Sequence, residues 1–290
     1  MNIQYIQNRV NTLQTITNEK NGSYLLQFYS QSKIQLSEYI TANAGIHSQY
    51  FKLSGRQTFE PRVAIKWKFL PEHSFSLAYG LHAQAEMIQL HLVEKNTPDG
   101  LTTPNKNLDF NKSHHLVAGY GFQINENLHF KIETYYQKLI NIPVIPDSTV
   151  SGINLNAVWG FNEILVSEGS GKNYGIDLTL ERYLEKGYYY LFTASLFDSK
   201  YTGGDRIERN TKYNRNYVFN ILGGKEWATG HLKKNLFNVN IRFSYLGGDR
   251  IIPLDVPLTY ENKEIVEDPY RSYDQKLKDA PILSFQLDTA

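Results

Sequence analysis

Histidine is the residue type of this sequence best suited to metal binding: His114 and His115 are adjacent, and His82 and His91 lie upstream. Neighbouring residues of a β-strand point to opposite faces, so the adjacent pair cannot chelate one metal from a regular strand. A zinc site would need an added carboxylate in the proper geometry. We therefore interpret these histidines as ordinary residues of a sheet or its rim, and we predict no metal site.

Acidic residues recur in the long polar stretches, in "IVEDPY" with Glu267 and Asp268, and in two "GGD" sequences at 203–205 and 247–249. Paired carboxylates could perform general acid–base catalysis or bind calcium. Their spacing matches no calcium-binding loop of the EF-hand type. We interpret them as solvated loop residues and predict that the protein is not an enzyme, with no catalytic residues.

The sequence "LGGKEW" contains two glycines and a lysine but lacks the spacing of a phosphate-binding P-loop. In a strand pattern, Gly223 and Gly224 indicate a bulge or a close approach of another chain segment. We accordingly predict no cofactor and no cofactor-binding residues.

Composition narrows the class of protein. The 290 residues carry a formal charge of +1 and form no basic stripe, which argues against nucleic-acid binding. Aromatic residues make up 13% of the chain, with 21 Tyr against 2 Met, a balance that favours strands. No cysteine is present, so disulfides and thiolate sites are excluded. "MNIQYIQNRVNTLQTI" has no secretory-signal pattern, and no apolar run approaches the ~20 residues of a membrane-spanning helix.

Apolar and polar residues alternate with a period of two in many segments, as in "EPRVAIKWKF", "NLHFKIETYYQ" and "NLFNVNIRFSYL". The alternation predicts that Ile241 lies on the apolar face. It also predicts a set of polar residues on the opposite face: Lys131, Glu133, Asn238, Asn240 and Arg242. We predict roughly eleven or twelve antiparallel strands in one continuous sheet. Their ranges are 4–17, 23–30, 34–51, 61–70, 73–87, 113–124, 127–140, 172–183, 188–201, 214–228, 235–247 and 282–288.

The connections between these strands alternate in length. Short breaks at 71–73, 125–127 and 185–187 lie between long polar stretches at 86–112, 141–171, 202–214 and 247–280. In an up-and-down meander this puts every tight turn at one end and every long loop at the other, as in outer-membrane barrels. The same alternation also fits a soluble sheet with one polar face, so an extended soluble β-sheet protein that binds carbohydrate or protein through its loops is the alternative.

Tyrosines cluster near the predicted strand ends. Tyr188, Tyr189 and Tyr190 follow a short turn, and Tyr135 and Tyr136 precede a long loop. Because amphipathic rings favour the membrane–water interface, the clusters fit the two aromatic girdles of a barrel wall.

Three ordered segments carry a family resemblance: "TTPNKNLDFNKSHHLVAGYGFQINENLHFKIETYYQKLINIPV", "EGSGKNYGIDLTLERYLEKGYYYLFTASLFDSKY" and "RNTKYNRNYVFNILGGKEW". The series resembles the C-terminal barrel of TonB-dependent outer-membrane receptors, in the branch whose members often begin with a carboxypeptidase-regulatory-like domain. The likeness extends from about 59 to 288.

The resemblance implies an all-β transmembrane barrel of about 22 strands, of which residues 1–290 would supply one single portion in the Gram-negative outer membrane. It implies transport of a scarce ligand such as a metal-siderophore, a cobalamin or an oligosaccharide. The implied partners are outer-membrane lipid, a plug domain of the same receptor and the energy-transducing TonB complex. No signal peptide or plug is recognisable in the sequence, so we expect that this polypeptide by itself is not a competent transporter. No ligand-binding residue is identified at this stage.

Overall fold

The computed structural model describes residues 2–9, 12–20, 22–98, 100–155 and 161–289. Within these residues the regular structure is almost entirely antiparallel β-strand. The strands, in chain order, are β1 (Asn2–Arg9), β2 (Thr12–Lys20), β3 (Leu25–Gln35), β4 (Ile40–Phe51), β5 (Arg56–Leu70), β6 (His73–Gln84), β7 (Lys95–Thr97), β8 (Gly100–Thr102), β9 (Asn111–Asn125), β10 (Leu128–Val144), β11 (Val166–Glu185), β12 (Tyr188–Thr202), β13 (Glu208–Asn210), β14 (Tyr217–Thr229), β15 (Asn235–Leu246), β16 (Arg250–Ile251), β17 (Gln275–Lys276) and β18 (Ala280–Thr289).

Two short α-helices interrupt the long connections, α1 (Ile88–His91) and α2 (Val256–Asn262). Single turns of 3-10 helix occur at Pro104–Asn107, Gly152–Asn154, His231–Lys233 and Pro269–Arg271. Among the described residues, no helix has the length and apolar character needed to cross a membrane.

Eleven long strands form one meander in the order β3-β4-β5-β6-β9-β10-β11-β12-β14-β15-β18, and the short β13 pairs with β12 to complete a 12-stranded sheet. Every neighbouring pair is antiparallel and follows in sequence once the loop strands are set aside. The predicted all-β, up-and-down architecture is therefore confirmed.

Two strand predictions are wrong. The predicted strand 4–17 covers two strands, β1 and β2, which pair with each other outside the 12-stranded sheet, so the described strands are not one continuous sheet. The predicted start at 34 for the third strand is also wrong, because the chain turns between β3 and β4. The Ser37 hydroxyl oxygen accepts hydrogen bonds from the backbone N–H groups of Tyr39 and Ile40 at 3.2 and 3.1 Å, which stabilises that turn.

The connections confirm the predicted difference between the two ends of the sheet. At one end the chain turns within 36–39, 71–72, 126–127, 186–187 and 230–234. At the other end lie the long loops 85–110, 145–165, 203–216 and 247–279, together with one short connection at 52–55. The 186–187 turn has positive φ at both residues, Lys186 at 53° and Gly187 at 75°, as a tight hairpin with right-handed strand twist requires.

The long loops 85–110 and 145–165 pack against each other. Leu90, Leu108 and Leu165 form a small buried apolar cluster between them. The Asn105 side chain joins the same two loops, because its amide donates to the Glu163 carbonyl at 2.9 Å and its oxygen accepts the Leu165 N–H at 2.8 Å. These contacts give the loop end of the sheet a fixed structure above the strands.

Candidate functional site

The two faces of the sheet differ in chemistry. One face, here called the outer face, carries apolar side chains that are left exposed, such as Phe59 at 68% and Phe285 at 67% of full exposure. Such contiguous apolar exposure is abnormal for a water-soluble surface. The opposite face, the inner face, carries the polar residues of the same strands. The sheet is thus built to contact an apolar medium on the outer face only.

The polar residues named from the sequence all lie on the inner face. Register places Lys131 and Glu133 opposite the inner-facing Gly121 and Gly119 of β9. On β15, the Cα partners of Asn238, Asn240, and Arg242 are the inner-facing Glu226, Gly224 and Leu222 of β14, which confirms the predicted set. Ile241 lies on the outer face, 45% exposed, opposite Gly223 on one side and Phe285 on the other.

Two open cavities lie along the inner face. The larger has a volume of about 900 Å³ and is lined by polar groups from β6 to β12, among them Glu133, Gln137 and Asn173. The smaller, about 580 Å³, extends from β3 to β9 and includes Asn43 and Arg62. His82 and His115 line both, so these two residues mark the junction of the cavities.

A chain of hydrogen bonds crosses the wall of the larger cavity from β9 to the loop after β13, and we call it the polar belt. Gln137 Nε2 lies 3.3 Å from His115 Nδ1, and Asn173 donates to Gln137 Oε1 at 3.1 Å. Ser199 donates to Asn173 Oδ1 at 2.6 Å and also lies 2.8 Å from the Thr211 hydroxyl. Because each member is held by the next, the belt presents fixed donors and acceptors to the cavity.

Glu60 forms a second polar arrangement, the carboxylate clasp, where β5 and β6 separate. Pairing between the two strands ends at Arg62↔Gly80, although β6 continues beside β9 to Gln84. Above that point the Ala83 N–H donates to Glu60 Oε2 at 3.1 Å, and the Gln49 amide donates to the Ala83 carbonyl at 2.9 Å. Side chains therefore replace the missing backbone ladder.

The clasp is densely bonded. Besides Ala83, the Glu60 carboxylate accepts hydrogen bonds from Gln49 and Thr58 at 2.7 Å each. It also lies 3.0 Å from His47 Nδ1 and 3.4 Å from the Arg62 guanidinium. With a side chain only 1% exposed, Glu60 is a buried and fully partnered anion.

Another acidic pair on the inner face has far fewer partners. Glu133 and Asp177 are direct cross-strand partners on β10 and β11. Lys131 pairs with Glu133 at 2.6 Å, whereas the described residues place no basic side chain within ion-pair distance of Asp177. Like charges placed opposite each other weaken a sheet. Asp177 therefore faces the larger cavity without a direct ionic partner among the described residues, although Lys112 and Lys200 line the same cavity.

Comparison with known proteins identifies the architecture. The TonB dependent receptor-like β-barrel family matches residues 2–274. The chain belongs to this family. Its members are transporters of the Gram-negative outer membrane and not enzymes. Membership of this family confirms the predicted outer-membrane location and the prediction that the protein is not an enzyme.

Solved structures of receptors share the fold. The chain resembles the ferric-catecholate import receptor Fiu from E. coli K12 (TM-score 0.59, 8% identity, 91% of this chain and 38% of that chain). It also resembles a mutant of the ferric enterobactin receptor PfeA from Pseudomonas aeruginosa (TM-score 0.58, 10% identity, 90% of this chain and 36% of that chain). A third similar structure is the RagAB peptide importer (TM-score 0.56, 14% identity, 79% of this chain and 34% of that chain). The receptor chain thus spans about a third of the length of these proteins. No curated protein matches the sequence.

The histidines of the receptor wall separate as the sequence argument required. His114 lies on the outer face, 2.9 Å from the Tyr79 hydroxyl, while His115 lies on the inner face. His91 is buried under the loops, where burial lowers its pKa and where its Nδ1 lies 3.2 Å from the Lys106 carbonyl oxygen. The structure brings together a pair that the sequence did not single out, His82 and His115, with ring centres 4.7 Å apart.

The acidic loop residues of the receptor have structural partners. Asp205 binds Arg209 at 2.7 Å, and Asp249 binds Arg215 at the same distance. Burial alone would raise the Asp205 pKa, but the hydrogen bonds from Arg209 and from the Ile207 N–H hold that pKa below its usual value. Asp268 accepts the Tyr270 N–H and caps a 3-10 turn. The interpretation of these acids as solvated loop residues did not include these partners, which tie each of the three to its own loop.

Neither glycine of β14 marks a bulge, because register is uninterrupted on both sides, and Gly224 alone of the two serves a close approach. A Cβ on Gly224 would lie 2.5 Å from the Tyr189 ring and 2.2 Å from Asn240 Oδ1. Tyr189 lies flat over this position and donates to Asn240 at 2.9 Å. A Cβ on Gly223, which is on the outer face, would have no neighbour closer than 3.5 Å.

Strand alternation divides the tyrosine clusters between the faces, so the girdle assignment is only partly right. Tyr188, Tyr190 and Tyr136 lie on the outer face, as the girdles require. Tyr135 and Tyr189 lie on the inner face and each covers a glycine, Gly175 and Gly224 respectively. The girdle assignment treated each tyrosine cluster as one unit, although adjacent residues of one strand point to opposite faces.

Two inner-face residues were not recognised from the sequence. Glu60 and Asn173 each sit at polar positions of alternating strands, and that alternation is the signal that could have placed them, as it places Gln137 on the polar face of its strand. Their partners come from other strands, so the belt and the clasp follow only from register.

Proposed function

We propose that residues 1–290 form a single portion of the barrel wall of a TonB-dependent transporter that takes up a scarce ligand across the outer membrane. The observation that carries this proposal is the division of one sheet into an apolar exposed outer face and a polar inner face with cavities of about 900 and 580 Å³. In the intact protein a plug domain of the same receptor occupies the inner side, and the TonB complex supplies the energy.

The ligand class stays open between a metal-siderophore, a cobalamin and an oligosaccharide. The polar belt and the loop tyrosines support a polar ligand, because amide and hydroxyl groups with nearby aromatic rings bind such molecules. Burial raises the pKa of Tyr273, in loop 247–279, to about 12, so its hydroxyl stays protonated as a donor at neutral pH. We also place the receptor in the branch with a carboxypeptidase-regulatory-like N-terminal domain, on the motif series at 102–144, 168–201 and 209–227.

Cell fractionation tests the location and the barrel. An antibody to the region around Tyr174 is used on unheated and boiled membrane fractions. We expect an outer-membrane band that shifts on heating, because closed barrels resist detergent until boiled. A soluble band indifferent to heating would refute the proposal and support the soluble β-sheet alternative, which the exposed outer face already disfavours.

A matched pair of variants tests the faces. Ile241→Arg puts a charge in the middle of β15 on the outer face, at an expected cost of ~2–4 kcal/mol, and should abolish insertion. Asn238→Arg puts the same side chain on the inner face of the same strand and should be tolerated. Equal insertion of both variants would contradict the assignment.

Uptake itself is tested with labelled ligands. Cells with and without the receptor are given a ferric siderophore, cyanocobalamin or an oligosaccharide, each with the proton gradient intact or dissipated. Accumulation of one ligand that needs both the receptor and the gradient is the expected result. Gradient-independent accumulation would contradict TonB-dependent transport.

A further inference from the structure

The junction of the two cavities holds two imidazole rings on neighbouring strands. His82 of β6 and His115 of β9 have ring centres 4.7 Å apart and planes inclined at 63°. They are diagonal neighbours, since the Cα partner of His115 is Gly80. Gly80 has no side chain, and His82 Nε2 lies only 2.8 Å from where a Cβ would be. The glycine therefore allows the His82 ring to lean towards His115.

The spacing of the rings suits one shared metal ion. A metal–nitrogen bond of ~2.0–2.1 Å, together with a ring radius of about 1.1 Å, places each ring centre about 3.2 Å from the metal. With the Nε2 atoms of both rings turned towards one point, two centres 4.7 Å apart subtend about 95–100° at the metal. That angle lies between the square-planar and tetrahedral values, as found for divalent copper, nickel and zinc.

We propose that His82 and His115 form a two-histidine site for a borderline divalent metal, Cu²⁺, Ni²⁺ or Zn²⁺, open to the inside of the barrel. The described residues contain no cluster of three or more His, Asp or Glu able to hold a metal, so the wall supplies two ligands only. Water or an incoming ligand molecule completes the coordination. Such an incomplete site binds exchangeably, unlike a closed structural zinc site.

The polar belt can orient His115 for this task. As assigned, Gln137 donates to His115 Nδ1, but amide orientations are chosen from the hydrogen-bond network. If both amides are reversed, His115 Nδ1–H donates to Gln137, Gln137 to Asn173, Asn173 to Ser199, and Ser199 to Thr211. Every member stays bonded, and Nε2 of His115 is left with a lone pair for the metal. Metal-binding histidines generally donate their other N–H in this way.

The charges around the pair include one group that opposes a cation. Arg62 faces His82 from β5, but its guanidinium is paired with Glu60 at 3.4 Å, and His47 also binds that carboxylate. Lys112 and Lys200 line the far parts of the larger cavity, which also contains Glu133 and Asp177. The larger cavity therefore has two lysines and two carboxylates in its lining, and Glu60 offsets part of the Arg62 charge beside His82.

The test is titration of CuSO₄ into the receptor purified from outer membranes in detergent, followed by calorimetry and electron paramagnetic resonance. We expect one Cu²⁺ bound, with splitting from two imidazole nitrogens. His82→Ala and His115→Ala should each weaken binding at least tenfold and lose one nitrogen signal. His114→Ala is the matched control, because it removes the adjacent histidine on the outer face, and it should bind as the wild type does.

Gln137 gives a second, more conservative test. Gln137→Leu should weaken binding about 10–100-fold, and Gln137→Glu should strengthen it, because a carboxylate orients the ring better. Binding that is unaffected by loss of both histidines, or no binding to the wild type, would overturn the proposal. Heat-shifted migration of every variant verifies that the barrel is intact. The inference needs only the folded wall, so its failure would leave the proposed transport function untouched.

Discussion

Replacement of Glu60 should separate β6 from β5 at the loop end of the sheet. The clasp holds the Ala83 N–H and carbonyl through Glu60 and Gln49 after the backbone ladder between these strands has ended. Glu60→Ala leaves the Ala83 N–H, the Gln49 amide and the Thr58 hydroxyl without the carboxylate as their acceptor, and both Gln49 and Thr58 are buried. The wall should therefore open locally first.

The expected magnitude follows from the number and kind of bonds. Glu60 is a buried anion with one ionic partner, Arg62, a hydrogen bond to His47 and three further hydrogen-bond donors. Removal of one partner from a buried charged network costs about 3–5 kcal/mol. Glu60→Gln keeps the volume and part of the acceptor capacity but loses the charge, so it should cost about 1.5–3 kcal/mol.

Urea unfolding of the receptor in phospholipid vesicles measures the loss in free energy of unfolding, and hydrogen exchange at the Ala83 amide measures the local opening. Glu133→Gln is the matched control on the same face. Its side chain is one-third exposed and has a single ion pair, so it should cost less than ~1 kcal/mol. A Glu60→Ala variant within 1 kcal/mol of wild type, with unchanged Ala83 exchange, would refute the clasp.

Three further predictions concern single side chains. Gly224→Ala forces a Cβ into the facing tyrosine ring and should cost about 1–3 kcal/mol in unfolding free energy, whereas Gly223→Ala should change it by less than ~0.5 kcal/mol; equal effects would contradict the close approach. Asp205→Asn should destabilise loop 203–216 by about 1 kcal/mol at pH 7. The pKa of Asp205 is lower in the folded protein than its ordinary value of 3.8. Its stabilising effect is therefore fully present above pH 3.8 and disappears as the pH falls through the lower folded pKa. The unfolding free energies of the wild type and of this variant should accordingly converge at low pH. Asp177→Asn should stabilise the wall by up to ~1 kcal/mol in the same urea assay, because it removes the repulsion from Glu133; a destabilised variant would show that Asp177 has a cationic partner from outside the wall.

Much of the wall could be predicted because each strand repeats one simple rule. Alternation placed Lys131 inward and Ile241 outward, and the register confirms both. Tight turns were recognisable from short polar breaks, as at 186–187, where the local residues themselves adopt the required positive φ. These features depend on nearest neighbours in sequence.

Features that depend on which strands meet were not predictable. The clasp arises only because β5 and β6 separate above Gly80, which no local pattern of either strand records. Likewise, His82 approaches His115 because of a glycine two positions before it on β6, whose partner on β9 is the second histidine itself. The error at 4–17 has the same origin, since β1 and β2 are weakly patterned and the sequence shows no clear break in alternation between them.

The inner face treats its carboxylates in two opposite ways, and the difference indicates which are available to other molecules. Glu60 is surrounded by donors, and its carboxylate links β5 to β6 through the Ala83 N–H. Glu133 and Asp177 face each other across β10 and β11 with Lys131 as the one basic partner within ion-pair distance among the described residues. A sheet selected for stability alone would not place two like charges opposite each other. Asp177, which has no direct ionic partner among the described residues, is therefore the carboxylate of this face most available to a molecule inside the barrel, in the same cavity as the histidine pair.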